Sequence, residues 1–445
     1  MADNPREIVL DTLLVLEKEN TFSHKLIKDV LDKYDYLDAR NKAFIKRVTE
    51  GTIERQIELD YYLNQYSSVA VCKMKPLIRC LMRMSVYQIL YMDSIPDSAV
   101  CNEACKLAEK RKFRNLKGFV NGVLRTVSKN KKALPLPDEE KEPELFLSVK
   151  YSMPGWLVRL WMAEYDRKTV ETMLKGLLAI HPVSLRFQTT LSAGERQSIL
   201  DQMLASGLEL EQSEYLPYIY QVKNVEGIHT LPGYREGKFL VQDVSSALAV
   251  EAAGIRNGDF VMDICAAPGG KTILAAEKTL SEAEEHSRQG KVLARDVSES
   301  KVSLIRENAS RMGLMNVTAE VFDATQSDER YFERADVLLM DVPCSGLGVM
   351  GKKRDIKYHV TPESLKSIVE LQKKIVEHSW RYVKPGGILL YSTCTIHSKE
   401  NEEMVKWIVD HFPFEQEGDT VQILPGEMDA DGFFYARLRR IKSDD

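Results

Sequence analysis

Residues 260–272 read Phe260-Val-Met-Asp-Ile-Cys-Ala-Ala-Pro-Gly-Gly-Lys-Thr, a short apolar run followed at once by a glycine-rich turn. Four further apolar runs of strand length begin at Lys291, Val317, Val337 and Ile388. Helical patterns separate them, at about 270–283, 298–312, 362–383 and 398–411. This alternation is typical of a doubly wound parallel sheet. We expect a Rossmann-like α/β domain over residues 239–445, with a closing strand near Gly432.

Three segments precede this domain. Residues 1–130 keep a helical apolar period without strand alternation, which predicts an all-α domain of about five to seven helices. Residues 131–149 are rich in proline and charge and are predicted to be an exposed linker. Residues 150–238 mix helical patterns with strand patterns and predict a small α/β subdomain.

Charge is divided unevenly along the 445 residues. The chain holds 61 Lys and Arg against 66 Asp and Glu, and this net charge of −5 at first argues against a nucleic-acid partner. Residues 1–132, however, hold 24 basic and 17 acidic residues, a net charge of +7, which leaves −12 for the remainder. The basic excess lies in the predicted helical domain, so a nucleic-acid ligand is not excluded.

The seven cysteines do not follow a disulfide or zinc-binding pattern, because their number is odd and no C-x-x-C pair occurs. The first residues lack the apolar core of a signal peptide. The apolar runs are far shorter than the ~20 residues that span a bilayer. We therefore expect a cytoplasmic monomer with no metal site and no membrane segment.

The turn after the first strand predicts a ligand site, because ligands bind at the carboxyl ends of strands in such sheets. Gly270-Lys-Thr resembles the end of a phosphate-binding P-loop, but that motif requires a glycine where Cys265 stands. The same residues are also typical of a tight strand-to-helix turn that binds no ligand, and this alternative remains open.

Aspartates end the next three strands of the series, at Asp296, Asp323 and Asp341. Each alone is typical of a helix cap or a turn. Together, behind a glycine-rich turn, they favour an adenosine-containing ligand. The gap from Asp263 to Asp296 is longer than in dinucleotide-binding folds, and we expect the polar stretch 281–289 to form a longer loop.

Two cysteines follow later strand ends, in Asp341-Val-Pro-Cys-Ser-Gly and Ser392-Thr-Cys-Thr. A lone cysteine is usually a small buried apolar residue. Two at the ligand edge of one sheet, without metal-binding spacing, indicate thiolate chemistry. A thiolate that adds to carbon 6 of cytosine makes carbon 5 nucleophilic enough to accept a methyl group.

These two motifs and Cys265-Ala-Ala-Pro-Gly-Gly-Lys-Thr resemble the motifs of RNA 5-methylcytosine methyltransferases, over about residues 150–440. The stretch from Leu81-Met-Arg-Met-Ser-Val-Tyr-Gln-Ile-Leu to Phe119-Val-Asn-Gly-Val-Leu-Arg resembles the NusB RNA-binding fold. The combination is similar to the RsmB (Sun, Fmu) family of bacterial 16S ribosomal RNA methyltransferases. Arg354 and Ser398 stand where that family's pattern has prolines. Neither is a catalytic position, so these departures affect only the expected loop shape and the local RNA contacts.

The resemblance implies a role for each matching residue. Cys394 would be the nucleophile on carbon 6, Cys344 would assist elimination and product release, and Asp341 would contact both cytosine and the methyl donor. S-adenosyl-L-methionine, with S-adenosyl-L-homocysteine as its product, would be held by Cys265, Ala266, Ala267, Pro268, Gly269, Gly270, Lys271, Asp296, Asp323 and Asp341.

RNA contacts are expected from two basic runs, unless these are only solvated surfaces. The first run is Lys110, Arg111, Lys112, Arg114 and Lys117, and the second is Lys352, Lys353, Arg354 and Lys357. The catalytic motifs would contact only the cytosine and the methyl donor, so they do not distinguish one RNA from another. A transfer RNA therefore remains an alternative to 16S ribosomal RNA. A non-catalytic RNA-binding assembly factor is a further alternative, against which the intact Cys344, Cys394 and Asp341 argue.

Overall fold

The computed structural model describes residues 4–19, 21–225, 227–280 and 289–442, so most of the stretch predicted to be a longer loop lies outside the described residues. The helices are α1 Pro5–Glu19, α2 Ser23–Lys33, α3 Ala39–Glu54, α4 Gln56–Tyr66, α5 Pro76–Tyr91, α6 Asp97–Lys110, α7 Lys117–Asn130, α8 Pro143–Lys150, α9 Gly155–Met162, α10 Arg167–Leu178, α11 Ala193–Ala205, α12 Val244–Ala252, α13 Gly270–Thr279, α14 Glu299–Arg311, α15 Ile356–His359, α16 Pro362–Ser379 and α17 Glu402–His411. The strands are β1 Val183–Phe187, β2 Glu209–Gln212, β3 Ile219–Lys223, β4 Phe239–Val241, β5 Phe260–Asp263, β6 Lys291–Asp296, β7 Val317–Val321, β8 Ala335–Asp341, β9 Val383–Thr393, β10 Phe414–Gln416, β11 Val421–Ile423 and β12 Phe433–Arg440.

The chain forms two compact units. The helical unit comprises residues 1–178 together with 352–359, and the sheet unit comprises residues 179–351 together with 360–445. Each of the two units has its own hydrophobic core.

Helix α5 forms the centre of the helical unit. Pro76 stands in its first turn, where the missing N–H costs no hydrogen bond. Leu81, Met82 and Val86 on this helix are fully buried against α1, α3, α6 and α7. The predicted all-α fold of the amino-terminal segment is confirmed, with α1 to α7 inside residues 5–130.

The end of the helical unit differs from the prediction. All but the last residue of helix α8 lies in the predicted linker 131–149, and Phe146, Leu147 and Val149 on this helix are buried. This helix packs against α4 and α9, so α8 to α10 belong to the helical unit rather than to a subdomain that begins at residue 150. The linker was predicted from the prolines and charges before Pro143, and the short apolar pattern of α8 was included in it.

The large sheet of the sheet unit has the strand order β10-β12-β9-β8-β5-β6-β7, with β11 paired to β12. The strands from β9 to β7 are parallel, and β10, β11 and β12 are antiparallel. This arrangement confirms the predicted doubly wound sheet. In its register Asp263 lies beside Leu339, and Asp341 lies beside Ser392, so the carboxyl ends of β5, β8 and β9 meet at one edge.

A smaller antiparallel sheet, β2-β3-β1-β4, precedes the large one. Arg186 on β1 is fully buried and forms an ion pair of 2.8 Å with Glu277 on α13, and its Nε donates to Gln242. The small sheet is thereby fixed to the helix that follows the glycine-rich turn. Among the described residues, no helix has the length and apolar character that crossing a membrane requires.

Candidate active site

The glycine-rich turn joins β5 to α13 at the carboxyl edge of the large sheet. Gly269 precedes α13 with a φ of 103°, a left-handed conformation that favours glycine. Asp263 at the end of β5 accepts a hydrogen bond of 2.6 Å from the Thr272 hydroxyl through Oδ2. Its Oδ1 has no hydrogen-bond partner among the described residues, and burial raises the pKa of Asp263 to about 7. The turn therefore contains a buried polar atom that a ligand can satisfy.

The two aspartates predicted to follow β6 and β7 have different surroundings. Asp296 is buried, and its carboxylate accepts from the backbone N–H groups of Ala267 at 3.0 Å and Val297 at 2.8 Å. Lys301 lies 3.0 Å from the same carboxylate. Asp323 is exposed, lies two residues beyond the end of β7, and accepts from the backbone and hydroxyl of Thr325. Asp296 thus supports the glycine-rich turn directly.

Asp341 at the end of β8 connects the turn to the later motifs. Lys271, the second residue of α13, places its ammonium 2.7 Å from the Asp341 carboxylate. The Ser392 hydroxyl on β9 donates to the same carboxylate at 2.9 Å. The Lys271 ammonium also lies 4.9 Å from the centre of the Phe433 ring. Asp341 is therefore held from two directions in one orientation.

The sulfur atoms of Cys344 and Cys394 lie 3.2 Å apart, just beyond β8 and β9. The hydrogen bond to Cys394, burial, and the charges of Glu400 and Asp341 raise the pKa of Cys344 well above its usual value. Cys344 is therefore a protonated thiol near neutral pH, and its S–H can donate to the Cys394 sulfur. Burial also raises the pKa of Cys265, which disfavours this third cysteine as a thiolate nucleophile.

A glycine contact supports the loops that carry the two cysteines. The Gly348 N–H donates to the Cys394 carbonyl at 3.1 Å, and the Gly432 N–H donates to the Gly348 carbonyl at 3.0 Å. A Cβ atom on Gly348 would lie 2.0 Å from the Gly432 carbonyl oxygen. The cysteine loops therefore require glycine at position 348. In the part of the chain that the structure describes, no group of three His, Cys, Asp or Glu residues is arranged to hold a metal ion.

Sequence reasoning missed Glu400 and Asn401, which are both fully buried. The Glu400 carboxylate accepts from the Ser345 backbone N–H at 2.9 Å and from the Ser345 hydroxyl at 2.6 Å. The Asn401 side chain accepts from the Thr393 hydroxyl at 2.6 Å and donates to the Thr395 carbonyl at 3.1 Å. They lie five and six residues after the second cysteine motif, and this proximity was the available sequence signal.

The first basic run is exposed except for the half-buried Arg111, and most of its residues pair with carboxylates. Lys110 pairs with Glu7, Arg111 pairs with Glu7 and Asp11, and Lys117 and Arg114 both pair with Glu109. Lys112 is exposed and forms no ion pair with the described residues. These pairs are at the surface, where each contributes only about 0–1 kcal/mol.

The second basic run belongs to the helical unit, which includes residues 352–359. The prediction for one of its residues, Lys357, must be corrected. Lys357 is buried, and its ammonium donates to the backbone carbonyls of Glu54 at 2.7 Å and Ser152 at 2.6 Å. Burial lowers the pKa of Lys357 to about 7. The prediction that Lys357 contacts RNA is therefore wrong. Arg354 is ion-paired with Glu50 and Glu54, whereas Lys352 and Lys353 are exposed.

Comparison with known proteins identifies the family. Residues 251–439 match the family model described as 16S rRNA methyltransferase RsmB/F, and residues 3–129 match the model of the NusB family. The "Probable ribosomal RNA small subunit methyltransferase B" of Bacillus subtilis (strain 168) is 33% identical and aligns over 98% of each chain. The chain belongs to the RsmB/F family.

Two further comparisons agree with this assignment over nearly the full length. A relative with the same name from Synechocystis is 28% identical, over 98% of this chain and 99% of its own. The crystal structure of PH0851 has a TM-score of 0.78 at 25% identity and covers 98% of this chain and 99% of its own. RsmB/F membership confirms the predicted methyltransferase domain and the NusB-like helical domain.

Proposed function

We propose that this protein transfers a methyl group from S-adenosyl-L-methionine to carbon 5 of a cytosine in 16S ribosomal RNA. The observation that carries the proposal is the 3.2 Å separation of the Cys344 and Cys394 sulfurs at the ligand edge of the sheet. Family membership and the names of the relatives support a ribosomal RNA substrate.

Cys394 acts as the nucleophile. Its thiolate adds to carbon 6 of the cytosine, and the electrons of the 5,6 double bond move to carbon 5, which takes the methyl group. The proton on carbon 5 is then removed by a base. The 5,6 double bond forms again, the sulfur–carbon 6 bond breaks, and Cys394 leaves as a thiolate.

Cys344 assists that last step. Because the pKa of Cys344 is raised by the hydrogen bond to Cys394, by burial and by neighbouring charges, its thiol keeps its proton. An S–H group 3.2 Å from the Cys394 sulfur can donate to the departing thiolate and stabilise its charge. Loss of this donor slows elimination and leaves RNA attached to the protein.

Asp341 acts on both partners of the reaction. Lys271 and Ser392 fix its carboxylate at the end of β8, between the glycine-rich turn and the cysteine motifs. We assign it to contacts with the cytosine ring and with the donor. A carboxylate held in this way orients a ring that must be presented to a thiolate without freedom to rotate.

The donor is assigned to the glycine-rich turn and the strand ends beside it. S-adenosyl-L-methionine supplies the methyl group, and the residues that would hold it are Cys265, Ala266, Ala267, Pro268, Gly269, Gly270, Lys271, Asp296, Asp323 and Asp341. The unpartnered buried Oδ1 of Asp263 fits a ligand with cationic and hydroxyl groups. Asp263 is therefore added to this set.

The RNA surface is assigned to exposed basic residues of the helical unit. Lys112 and Lys353 are exposed, and the surface pairs of Lys110, Arg111, Arg114 and Lys117 are weak enough for phosphates to displace their carboxylates. The cytosine must leave its stack to meet Cys394, so a single-stranded loop or bulge is the expected target.

The direct experiment is methyl transfer from labelled donor to unmodified 16S ribosomal RNA, followed by denaturing electrophoresis of protein and RNA. Cys394→Ala is expected to abolish both methylation and adduct, and Cys344→Ala to accumulate an adduct after at most one turnover. Cys72→Ala is the matched control, because Cys72 is an exposed cysteine of the helical unit. Full methylation by Cys394→Ala would contradict the nucleophile assignment.

Mapping 5-methylcytosine in RNA from cells with and without the gene separates the possible substrates. If a 5-methylcytosine of 16S ribosomal RNA disappears when the gene is absent, the proposal is supported. If a 5-methylcytosine of a transfer RNA disappears instead, the same reaction takes place on transfer RNA. Tight RNA binding with neither donor affinity nor methylation would instead indicate an assembly factor.

A further inference from the structure

The loop that carries Cys344 is held on both sides of the cysteine by one buried carboxylate and one buried amide. Gln372 on α16 donates to the Pro343 carbonyl at 2.9 Å and to Glu400 at 3.1 Å. The Ser345 backbone and hydroxyl both donate to the same Glu400 carboxylate. The residues before and after Cys344 are therefore tied to Glu400, directly or through Gln372.

The loop that carries Cys394 is held in a parallel manner by Asn401. The Thr393 hydroxyl donates to the Asn401 side chain at 2.6 Å, and the same side chain donates to the Thr395 carbonyl at 3.1 Å. Gln422 fixes the amide by accepting its second N–H at 2.8 Å. Consecutive residues thus hold the neighbours of the two cysteines.

A hydroxyl pair joins the two loops to each other. The Ser345 and Thr395 hydroxyl oxygens lie 2.7 Å apart. Each hydroxyl has one proton, and the Ser345 proton is directed to Glu400 at 2.6 Å. Thr395 is therefore the donor to Ser345, and the chain of hydrogen bonds runs from Thr395 through Ser345 to Glu400.

The Glu400 carboxylate is completely satisfied, although no Lys or Arg of the described residues pairs with it. Its Oε2 accepts from the Ser345 N–H and from Gln372, and its Oε1 accepts from the Ser345 hydroxyl and lies 3.2 Å from His397 Nδ1. A buried carboxylate is costly, and several charge-assisted hydrogen bonds offset that cost. Glutamine at this position would turn an N–H₂ group toward at least one of these donors.

We propose that Glu400 is a positioning residue that sets the separation of the Cys344 and Cys394 sulfurs, so that release of methylated RNA depends on it. The inference rests on the proposed function, because it assigns the release step to Cys344. The Glu400 carboxylate contacts Ser345, beside Cys344, rather than either sulfur, so its loss displaces Cys344 while the glycine-rich turn keeps its structure.

The test uses the full-length protein with the variants Glu400→Gln, Ser345→Ala and Cys344→Ala. Glu400→Gln is expected to bind S-adenosyl-L-homocysteine within about twofold of wild type and to complete a normal first methyl transfer. Its later turnovers are expected to slow by about 10- to 100-fold, since a displacement of about 1 Å has effects of this size. An RNA adduct should accumulate as in Cys344→Ala, and Ser345→Ala should show the same defect at smaller size.

Glu403→Gln is the matched control, because Glu403 is an exposed glutamate of α17, three residues after Glu400. A second readout is the pH at which iodoacetamide half-alkylates Cys344 in a Cys394→Ala background. Glu400 and Asp341 are the charges that raise the pKa of Cys344 in that background. Glu400→Gln should therefore move the midpoint to lower pH, an effect that a purely structural role does not predict.

Two outcomes would overturn the inference. The first is wild-type turnover without adduct in both Glu400→Gln and Ser345→Ala. The second is an equal loss of first turnover and donor binding in both variants, without adduct, while Cys344→Ala accumulates one. If Glu400→Gln does not fold, Ser345→Ala decides between these results. If no variant, including Cys344→Ala, forms an adduct, the release role of Cys344 fails and this inference fails with it. Methyl transfer by the wild type then decides separately whether the proposed function stands.

Discussion

The ammonium of Lys271 lies 2.7 Å from the carboxylate of Asp341, so an ion pair links the glycine-rich turn after β5 to the end of β8. The side chains are 11% and 28% exposed, which makes the pair less screened than a surface pair. A change at either end of this pair is therefore expected to affect both the glycine-rich turn and the end of β8.

We expect the variants Lys271→Met and Asp341→Asn to be strongly non-additive in their effects on stability. Residues in one charge network typically have coupling energies of about 0.5–3 kcal/mol. Urea unfolding of the two single variants and the double variant measures this coupling. The exposed Lys373–Glu370 pair on α16 is the control, with an expected coupling of about 0.2–0.5 kcal/mol. Additivity within about 0.3 kcal/mol at Lys271 and Asp341 would contradict the expectation.

The buried carboxyl of Asp263 predicts a pH dependence of stability. Burial raises its pKa in the folded state to about 7, so the folded protein binds more protons than the unfolded chain between about pH 4 and pH 7. Stability from this group is therefore present at low pH and is lost as pH rises through this interval. One pKa unit corresponds to about 1.4 kcal/mol, so the expected loss is a few kcal/mol.

Urea unfolding of the ligand-free protein and of Asp263→Asn, at several pH values across this interval, checks the effect. The wild type should become less stable relative to Asp263→Asn as the pH rises. Asp323→Asn is the control, because hydrogen bonds from Thr325 lower the pKa of Asp323 and its own contribution is constant above about pH 4. A constant difference between wild type and Asp263→Asn would show the expectation to be wrong.

Gly348→Ala is expected to destabilise the protein by about 1–3 kcal/mol, because a Cβ atom would lie 2.0 Å from the Gly432 oxygen and 2.9 Å from the Cys394 oxygen. Backbone atoms cannot rotate away, so the Cys394 loop must move and methyl transfer should fall with stability. Gly194→Ala in α11 is the control, since a Cβ atom there meets nothing within 4 Å and should stabilise the helix by about 0.5–1 kcal/mol. Thermal unfolding and methyl transfer are measured together. Unchanged stability of Gly348→Ala would refute the steric argument.

Lys353 and Lys357, only four positions apart, are expected to respond in opposite ways to substitution. Lys357→Met removes the donor to two buried carbonyls and should cost about 1–3 kcal/mol of stability, with the salt dependence of RNA binding unchanged. Lys353→Ala should leave stability within about 0.5 kcal/mol and reduce the slope of log K against log salt by about 1. Urea unfolding and RNA titrations at several salt concentrations measure both effects. If Lys357→Met reduced the slope of log K against log salt and left stability unchanged, the prediction that Lys357 contacts RNA would be correct after all.

The strands of the large sheet were predictable because buried parallel strands consist of short continuous apolar runs. Such runs identified β5, β6, β8 and β9 before any contact was known. Strand β2, whose sequence is Glu-Leu-Glu-Gln, was not predicted. It lies at the edge of its sheet with mostly exposed side chains, so its sequence is under little pressure to be apolar.

The candidate site was predictable to the level of which residues follow strand ends. Cys344, Cys394, Asp341 and the glycine-rich turn follow strands of one parallel sheet, and the carboxyl ends of such strands share an edge. The role of Glu400 was not predictable, because it depends on hydrogen bonds to Ser345, which is 55 residues away in sequence. The partners of Asn401 beside Cys394 are only six and eight residues away, but the side-chain geometry that joins them is set by the folded loop.

The fold classes, the glycine-rich turn and the two cysteine motifs were predictable from the amino-acid sequence, since each depends on local pattern or on strand order. The 3.2 Å sulfur separation, the raised pKa of Cys344 and the burial of Lys357 became known only from the packed fold. Desolvation and hydrogen bonding depend on which distant groups are packed together, and local pattern does not contain that information. From the basic run alone, Lys357 is predicted to be solvated. In the folded protein its ammonium instead donates to the carbonyls of Glu54 and Ser152.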